Sequence, residues 1–456
     1  MRKRRRQITL TFVSFLFIFL FIQLYHPFNE TPSKKNHLSR NVRSSPNNQR
    51  NYSKFYTPNS FTSGYRDEII TVFCDVWYRQ RIDSNRTSCI MISSYYAHLS
   101  TAINFQKLLA EAILLPSKIT LSLSFEIFVS KAFENPITGI TCDPRFEISN
   151  AIEITFIYDN LKEKFTIHTD NSGKNYMLPY NSGSVALCTL FTPKHPSVSH
   201  VWLNFWNRLG IGHFFLYVNE DISVGNTIDQ QEFYLISNRS DVTIIPWNKW
   251  PYFFNILGKG GSPHGAQPMA MNHCAQRFGG IADDYGHNIF SFMGFFDFDE
   301  LFSTEETSIS IMLSKISRPI SIFTNTFAVV MPPTNQSNII PYRNDHFYDN
   351  NFVFAEWLPI GRTKFFIKLP FHPSKLLGVH LPLPFDAAFE ILPAKTGSLI
   401  HFVNLASHES LGGPEGGDLV RSAINASRGV ALGAKNSSLM EKVHENFMKH
   451  LAIQNI

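Results

Sequence analysis

The sequence predicts an α/β protein, an open sheet flanked by helices. A smaller β-rich region, a polar stem and an N-terminal membrane helix are expected ahead of it. Three observations carry this reading. Strand-like and helix-like segments alternate from about residue 184 onward. Short β-like runs separated by turn residues fill residues 67–183. An uncharged apolar run follows a block of basic residues at the N-terminus.

The chain has 456 residues, enough for two or three domains, and 44% hydrophobic with 14% aromatic residues implies a packed core. Its formal charge of +5 is matched by Arg2, Lys3, Arg4, Arg5 and Arg6 alone. The remainder is neutral, which argues against nucleic acid as a partner, since that requires basic side chains spread over a folded face. Residues 1–7 are read as a cytoplasmic tail and residues 8–25, "ITLTFVSFLFIFLFIQLY", as a transmembrane signal anchor. As a helix the run spans about 27 Å, close to the hydrocarbon thickness of an early secretory membrane. No small-x-small cleavage site follows, as a removed signal peptide would need. The positive-inside rule then makes a single-pass type II protein with its body lumenal, and a Golgi membrane is the expected location.

Two further patterns agree with a lumenal body. Seven N-x-Ser/Thr sequons occur, at Asn29, Asn51, Asn85, Asn238, Asn335, Asn425 and Asn436, so a glycoprotein is expected. The five cysteines, Cys74, Cys89, Cys142, Cys188 and Cys274, would meet an oxidising compartment, with at least one left outside any intrachain pair. Cys188 lies on a predicted strand and Cys274 on a predicted helix of the same α/β unit. Neighbouring elements pack together, so these two are expected within disulfide reach.

Residues 26–66 are polar and poor in aliphatics, a stem that cannot bury enough apolar surface to fold alone. Residues 67–183 carry "EIITVFCDVWY", "SCIMISSYYA", "KITLSLSFEIFVS" and "AIEITFIYDN", a β-rich N-terminal domain. Residues 184–405 form the α/β domain, and 406–456 a C-terminal extension. "SVALCTLF" reads as a buried strand. In "HPSVSHVWLNFWNRLGIG", Val198, Trp202, Phe205 and Leu209 recur at near-helical spacing and Gly210 ends the helix. "HFFLYVN" and "DVTIIPW" are strands. "HGAQPMAMNHCAQRFGG" is a second helix with Pro268 in its first turn, and "NIFSFMGFFDFDE" is the strand after it. The unit from Ser184 to Glu300 is therefore β-α-β-β-α-β, with "TSISIMLSKIS" a helix behind it.

That last strand ends in "DFDE". In a chain only 17% charged, Asp297, Asp299 and Glu300 cluster three like charges that repel one another. Read as extended backbone, Asp297 and Asp299 share one face. Two convergent carboxylates make a hard oxygen site suited to Mn²⁺ or Mg²⁺, whose open positions a diphosphate fills. The competing reading is a solvated strand end before a helix whose first turn favours acids. The position weighs against it, because ligands of open α/β sheets bind beyond the carboxyl ends of strands.

The succession "VALCTLFTPKHPSVSHVWLNFWNRLGIGHFFLYVNED", "VTIIPW", "HGAQPMAMNHCAQRFGG", "FFDFDELF" and "KFFIKLPFHPSKLLGVHLPLPF … LIHFVN" resembles glycosyltransferase family 92 over about residues 185–405. The resemblance implies a GT-A-type, Rossmann-like nucleotide-sugar-binding domain. It also implies Mn²⁺ and an inverting hexosyl transfer, often of galactose from UDP-galactose, onto a glycan or glycoprotein acceptor. By the same resemblance Asp297 would contact the ribose or the metal, and Asp299 would be the principal metal ligand. His380 would complete the metal shell, and Glu300 would hydrogen-bond around the metal or the acceptor. Lys364 and Lys368 would steady the diphosphate, and Gln267 and His264 would open the second helix near the nucleotide. An inverting transfer needs a carboxylate base, for which Glu300, Glu356 and Asp345 stand as candidates.

Two other functions compete. One is a catalytically inactive lumenal glycan-binding protein on the same scaffold. The other is a different Golgi transferase such as a sulfotransferase, which would need a phosphate-binding loop better than "TLFTPKHPSVS".

Overall fold

The structure, a computed structural model, describes residues 56–65, 68–79, 88–96, 107–129, 135–169, 184–191, 196–218, 233–247, 267–281, 288–298, 300–316, 321–323, 325–330, 353–356, 364–371, 376–378, 382–383, 389–393 and 396–402, with four isolated positions beyond. The predicted tail, anchor and most of the stem lie outside these residues. No helix among the described residues is long and apolar enough to cross a membrane.

The N-terminal region is all β. β1 (Phe61–Tyr65) and β2 (Glu68–Phe73) form a hairpin. There follow β3 (Asp75–Arg79), β4 (Cys89–Tyr96), β5 (Leu109–Leu115), β6 (Ile119–Leu123), β7 (Glu126–Val129), β8 (Asn135–Cys142), β9 (Ala151–Tyr158) and β10 (Leu161–His168). They make two four-stranded sheets, β3-β4-β8-β7 and β10-β9-β5-β6. Val76, Ile90 and Ile92 of the first meet Ala112, Ile152, Ile154 and Phe156 of the second in one apolar core. Cys89 and Cys142 are register partners on β4 and β8 and are disulfide-bonded. Two runs read as continuous from sequence are divided. "EIITVFCDVWY" breaks at Cys74 between β2 and β3, and "KITLSLSFEIFVS" breaks between β6 and β7 because the chain crosses from one sheet to the other.

From Ser184 the protein is α/β. β11 (Ser184–Phe191) leads into α1 (Pro196–Arg208), then β12 (Ile211–Val218), β13 (Val242–Pro246), α2 (Gln267–Arg277) and β14 (Phe290–Phe295). A short helical segment at 233–237, not anticipated from the sequence, precedes β13 and buries Phe233 and Ile236. Gly210 ends α1 with φ +89, a backbone region glycine enters without steric cost. After β14 come β15 (Glu300–Thr304), α3 (Ile309–Ser314), β16 (Ser321–Phe323), β17 (Asn325–Val330), β18 (Val353–Glu356), β19 (Phe365–Lys368), β20 (Leu376–Leu377), β21 (Pro382–Leu383), β22 (Phe389–Ile391) and β23 (Gly397–Phe402).

The main sheet has seven strands in the order β13-β12-β11-β14-β19-β16-β22. The first four run parallel, and β19 is antiparallel to both its neighbours. The sheet is covered on both faces, so β12 is almost wholly buried. Alternation assigns the faces. Trp202, Phe205 and Trp206 of α1 pack with Leu187, Phe214 and Leu216. Met269 and Cys274 of α2, with Phe278 just beyond its end, pack with Ala186, Phe215 and Tyr217 on the other side. A second sheet, β15-β23-β17-β18, leans on the α1 side through Phe302, Leu399 and Ile400. Cys188 and Cys274 are disulfide-bonded, tying β11 to α2 as their neighbouring positions lead one to expect.

The β-rich region packs directly on α2. Asp75, at the start of β3, is completely buried and accepts from the Tyr56 hydroxyl (2.5 Å), the Asn59 amide (2.7 Å) and the Val76 amide (2.9 Å). Its Oδ2 also lies 2.8 Å from Nε2 of His273, whose Nδ1 is 2.7 Å from the Tyr217 hydroxyl. One assignment satisfies every group: neutral His273 donates from Nε2 to Asp75 and accepts the Tyr217 proton at Nδ1. Arg277 donates to the Tyr56 oxygen, and Thr138 of β8 donates to Gln276.

Candidate active site at the switch point

From β11 the chain passes through α1 to β12 on one side, whereas β13 returns through α2 to β14 on the other side of β11. The carboxyl ends of β11 and β14 therefore flank a point where strand order reverses, the place where open α/β sheets hold ligands. β14 ends at Phe295, and the acidic segment begins two residues later.

Here the structure corrects the extended reading of "DFDE". The chain turns, with Glu300 N–H donating to Asp297 C=O at 3.0 Å, and β15 starts at Glu300 in the second sheet. The physical cause is local. The Glu300 carboxylate folds back to accept the Asp297 amide (2.7 Å), and the Trp202 indole N–H lies 2.9 Å from both the Asp297 and Glu300 carbonyls. These bonds give the backbone groups of the turn partners once the chain has left β14.

The side chains around this turn come from three separate elements. Gln267, the first residue of α2, donates to Asp297 Oδ1 at 2.6 Å. Lys364, just before β19, places its ammonium 2.5 Å from Asp297 Oδ2 and 3.5 Å from Glu300 Oε2. The Lys364 side chain is 2% exposed and that of Glu300 3%, while Asp297 keeps 37% of its side-chain surface. The Glu300 carboxylate and the Lys364 ammonium are thus held at low solvent access, while Asp297 opens to water. A buried ammonium without opposite charge would carry a large desolvation cost, so the Lys364 position depends on these acids.

Of the residues singled out in the sequence, Asp297, Glu300, Gln267 and Lys364 are brought together. Lys368, at the far end of β19, is exposed and does not join them. Glu356 ends β18, with its backbone paired to Phe327. Asp299, His264, Asp345 and His380 lie outside the described residues. His380 falls in sequence between β20 and β21, and β20 is fastened to α2 by paired bonds between Leu377 and the Asn272 amide group. Sequence reasoning passed over Trp202 and Trp206. Trp202 reads from sequence only as part of the apolar face with Val198, Phe205 and Leu209, and Trp206 is not singled out there; nothing in the spacing shows that the indole N–H groups reach across to the acidic turn.

Asp297 and Glu300 offer hard carboxylate oxygens, the ligand type divalent cations take, and the Lys364 ammonium occupies the position between them. Among the described residues no three His, Cys, Asp or Glu side chains converge as a ready metal cluster.

No family model matches the chain. No curated protein matches it either. Among solved structures, ferredoxin-NADP⁺ reductase from Plasmodium falciparum aligns over 44% of this chain and 81% of its own, at 10% identity and a TM-score of 0.11. A likeness at that level carries no functional argument.

Proposed function

We propose that the protein is a metal-dependent inverting glycosyltransferase of GT-A type. It would transfer a hexose, galactose from UDP-galactose in the first instance, onto a glycan or glycoprotein. The observation that carries the proposal is the convergence of Asp297, Glu300, Gln267 and Lys364 at the carboxyl end of β14, beside the strand-order switch. The basic N-terminal block, the apolar run and the sequons support a type II Golgi setting with this body in the lumen.

Asp297, with Asp299 two residues on, would hold Mn²⁺ or Mg²⁺. When bound, the ion supplies positive charge to a departing nucleoside diphosphate. Gln267 orients the Asp297 carboxylate by holding Oδ1, and Lys364 keeps compensating charge beside Asp297 and Glu300. In the transfer, the acceptor hydroxyl oxygen forms a bond to the anomeric carbon as the bond from that carbon to the diphosphate oxygen breaks. UDP leaves with the electron pair, and the hydroxyl proton passes to a carboxylate base. Glu300 is committed to the Asp297 amide and to Lys364, which leaves Glu356 and Asp345 as the other candidates for that base.

One observation favours a second reading. A buried lysine already seated among the acids is what an inactive lumenal glycan-binding protein would retain in place of an ion. Thermal shift of the full chain separates the readings. A UDP-sugar that raises the melting temperature only with Mn²⁺ present supports the transferase. A shift with 3′-phosphoadenosine 5′-phosphosulfate and no metal would instead favour a sulfotransferase. No shift with either nucleotide would favour the binding protein.

A further inference from the structure

We infer that Asn238 is an N-glycosylation site and that its glycan covers the exposed apolar pair Tyr234 and Leu235. The inference rests on the lumenal setting of the proposed function. The sequon Asn238-Arg239-Ser240 lies in the turn between the helical segment 233–237 and β13. That segment divides its residues by face. Phe233, Ile236 and Ser237 are buried, whereas Tyr234 is 41% exposed, Leu235 51%, and Asn238 is exposed beside them. The Asn238 amide donates to the Tyr234 carbonyl at 3.1 Å, a helical bond, so Asn238 follows Tyr234 by four positions and Leu235 by three on one helical surface. Side chains at those spacings are neighbours, about 5–6 Å apart at Cβ. The turn itself is held by the residue between the two reactive positions. Arg239 donates to both Asp241 carboxylate oxygens, at 2.9 and 2.7 Å, and to Asn204 of α1 at 2.6 Å. Ser240 is exposed, and among the described residues neither its hydroxyl nor the Asn238 carboxamide takes part in this hold.

The donor for such a site is a lipid-linked oligosaccharyl diphosphate of the secretory membrane. Nδ2 of Asn238 forms a bond to the anomeric carbon as the bond from that carbon to the diphosphate oxygen breaks. The lipid diphosphate leaves with the electron pair, and Nδ2 gives up one proton. The C–H face of the first sugar then has the Tyr234 ring beside it, whose π face carries partial negative charge. Covering this pair has a physical use, because β13 is the edge strand of the main sheet and apolar surface next to a sheet edge favours association between chains.

The test uses the full chain expressed in cells with a secretory pathway. Peptide N-glycosidase in heavy-oxygen water, followed by mass spectrometry of peptides, should convert Asn238 to labelled aspartate. Asn238→Gln and Ser240→Ala should each remove one glycan from the gel-mobility ladder, and Ser240→Thr should keep it. Hydroxyl-radical footprinting then reads the covering. Oxidation of Tyr234 and Leu235 should rise in Asn238→Gln over wild type, while that of Ile148, 78% exposed in the β-rich region, stays the same. An unmodified Asn238 in a chain glycosylated at other sequons would overturn the inference and leave the lumenal setting standing. Equal oxidation of Tyr234 and Leu235 in the two proteins would do the same. No modification at any sequon would overturn both.

Discussion

At the scale of single residues, the acids of "DFDE" are made tolerable by a lysine 67 positions away in sequence. Lys364→Met removes the ammonium and leaves the Glu300 carboxylate buried without its counter-charge, beside the half-open Asp297. Breaking such a pair costs on the order of 3 kcal/mol, while Lys368→Met, at an exposed position, should change stability by no more than about 0.5 kcal/mol. Urea midpoints of the two variants check this, and equal effects would contradict the placement of Lys364. The acidic cluster and its position after a buried strand were legible because charge and apolar runs are written locally. Burial of Lys364 was not legible, since a lysine opening a strand reads the same whether it faces water or a carboxylate. The same holds for the indole donors, whose bonds to residues 297 and 300 depend on how α1 lies across the sheet.

At the scale of elements, periodicity and end signals did well where one helix or strand faces one core. The predicted spacing of Val198, Trp202, Phe205 and Leu209 falls on α1 and its end, and Gly210 closes it in the left-handed region. Gly210→Ala should destabilise by about 1–2 kcal/mol, the more so because an added Cβ would sit 3.0 Å from Cβ of Ser308, the cap of α3. A fall in melting temperature with unchanged secondary structure is the expected readout. The contact of α2 with β3 has a different signature. Burial pushes the His273 imidazole below its ordinary value of 6.5, with Asp75 pulling it back up and Arg277 adding to the lowering. Protonation therefore favours the unfolded chain. The contribution is fully present above pH 6.5 and declines below it, at no more than about 1.4 kcal/mol per pH unit, until the folded imidazole itself protonates. His273→Gln should flatten the loss of stability between pH 6.5 and 5.5. An unchanged slope in that variant would show that His273 is not responsible.

At the scale of the whole molecule, the α/β class and the β-rich region ahead of it follow from composition and the change in element grammar near residue 184. Their mutual packing does not, because it rests on Asp75, His273, Tyr217 and Tyr56, which are scattered polar residues with no local pattern. Tyr56 comes from the segment read as stem, yet it bonds Asp75 and, through its amide, the Ile244 carbonyl of β13. A chain beginning at Glu68 should therefore melt below one beginning at Tyr52, since Asp75 loses the Tyr56 and Asn59 donors together. Equal melting of the two would show that the Tyr56 segment is dispensable. The central claim is that the acids at the switch point serve a metal-assisted sugar transfer, and release of UDP from UDP-galactose by the full chain tests it most directly. The account predicts release that requires Mn²⁺, stops on chelation, and drops by orders of magnitude in Asp299→Asn while the melting curve stays in place; each tenfold is worth about 1.4 kcal/mol of barrier. Release that persists undiminished under chelation, or near wild-type turnover in Asp299→Asn, would contradict it.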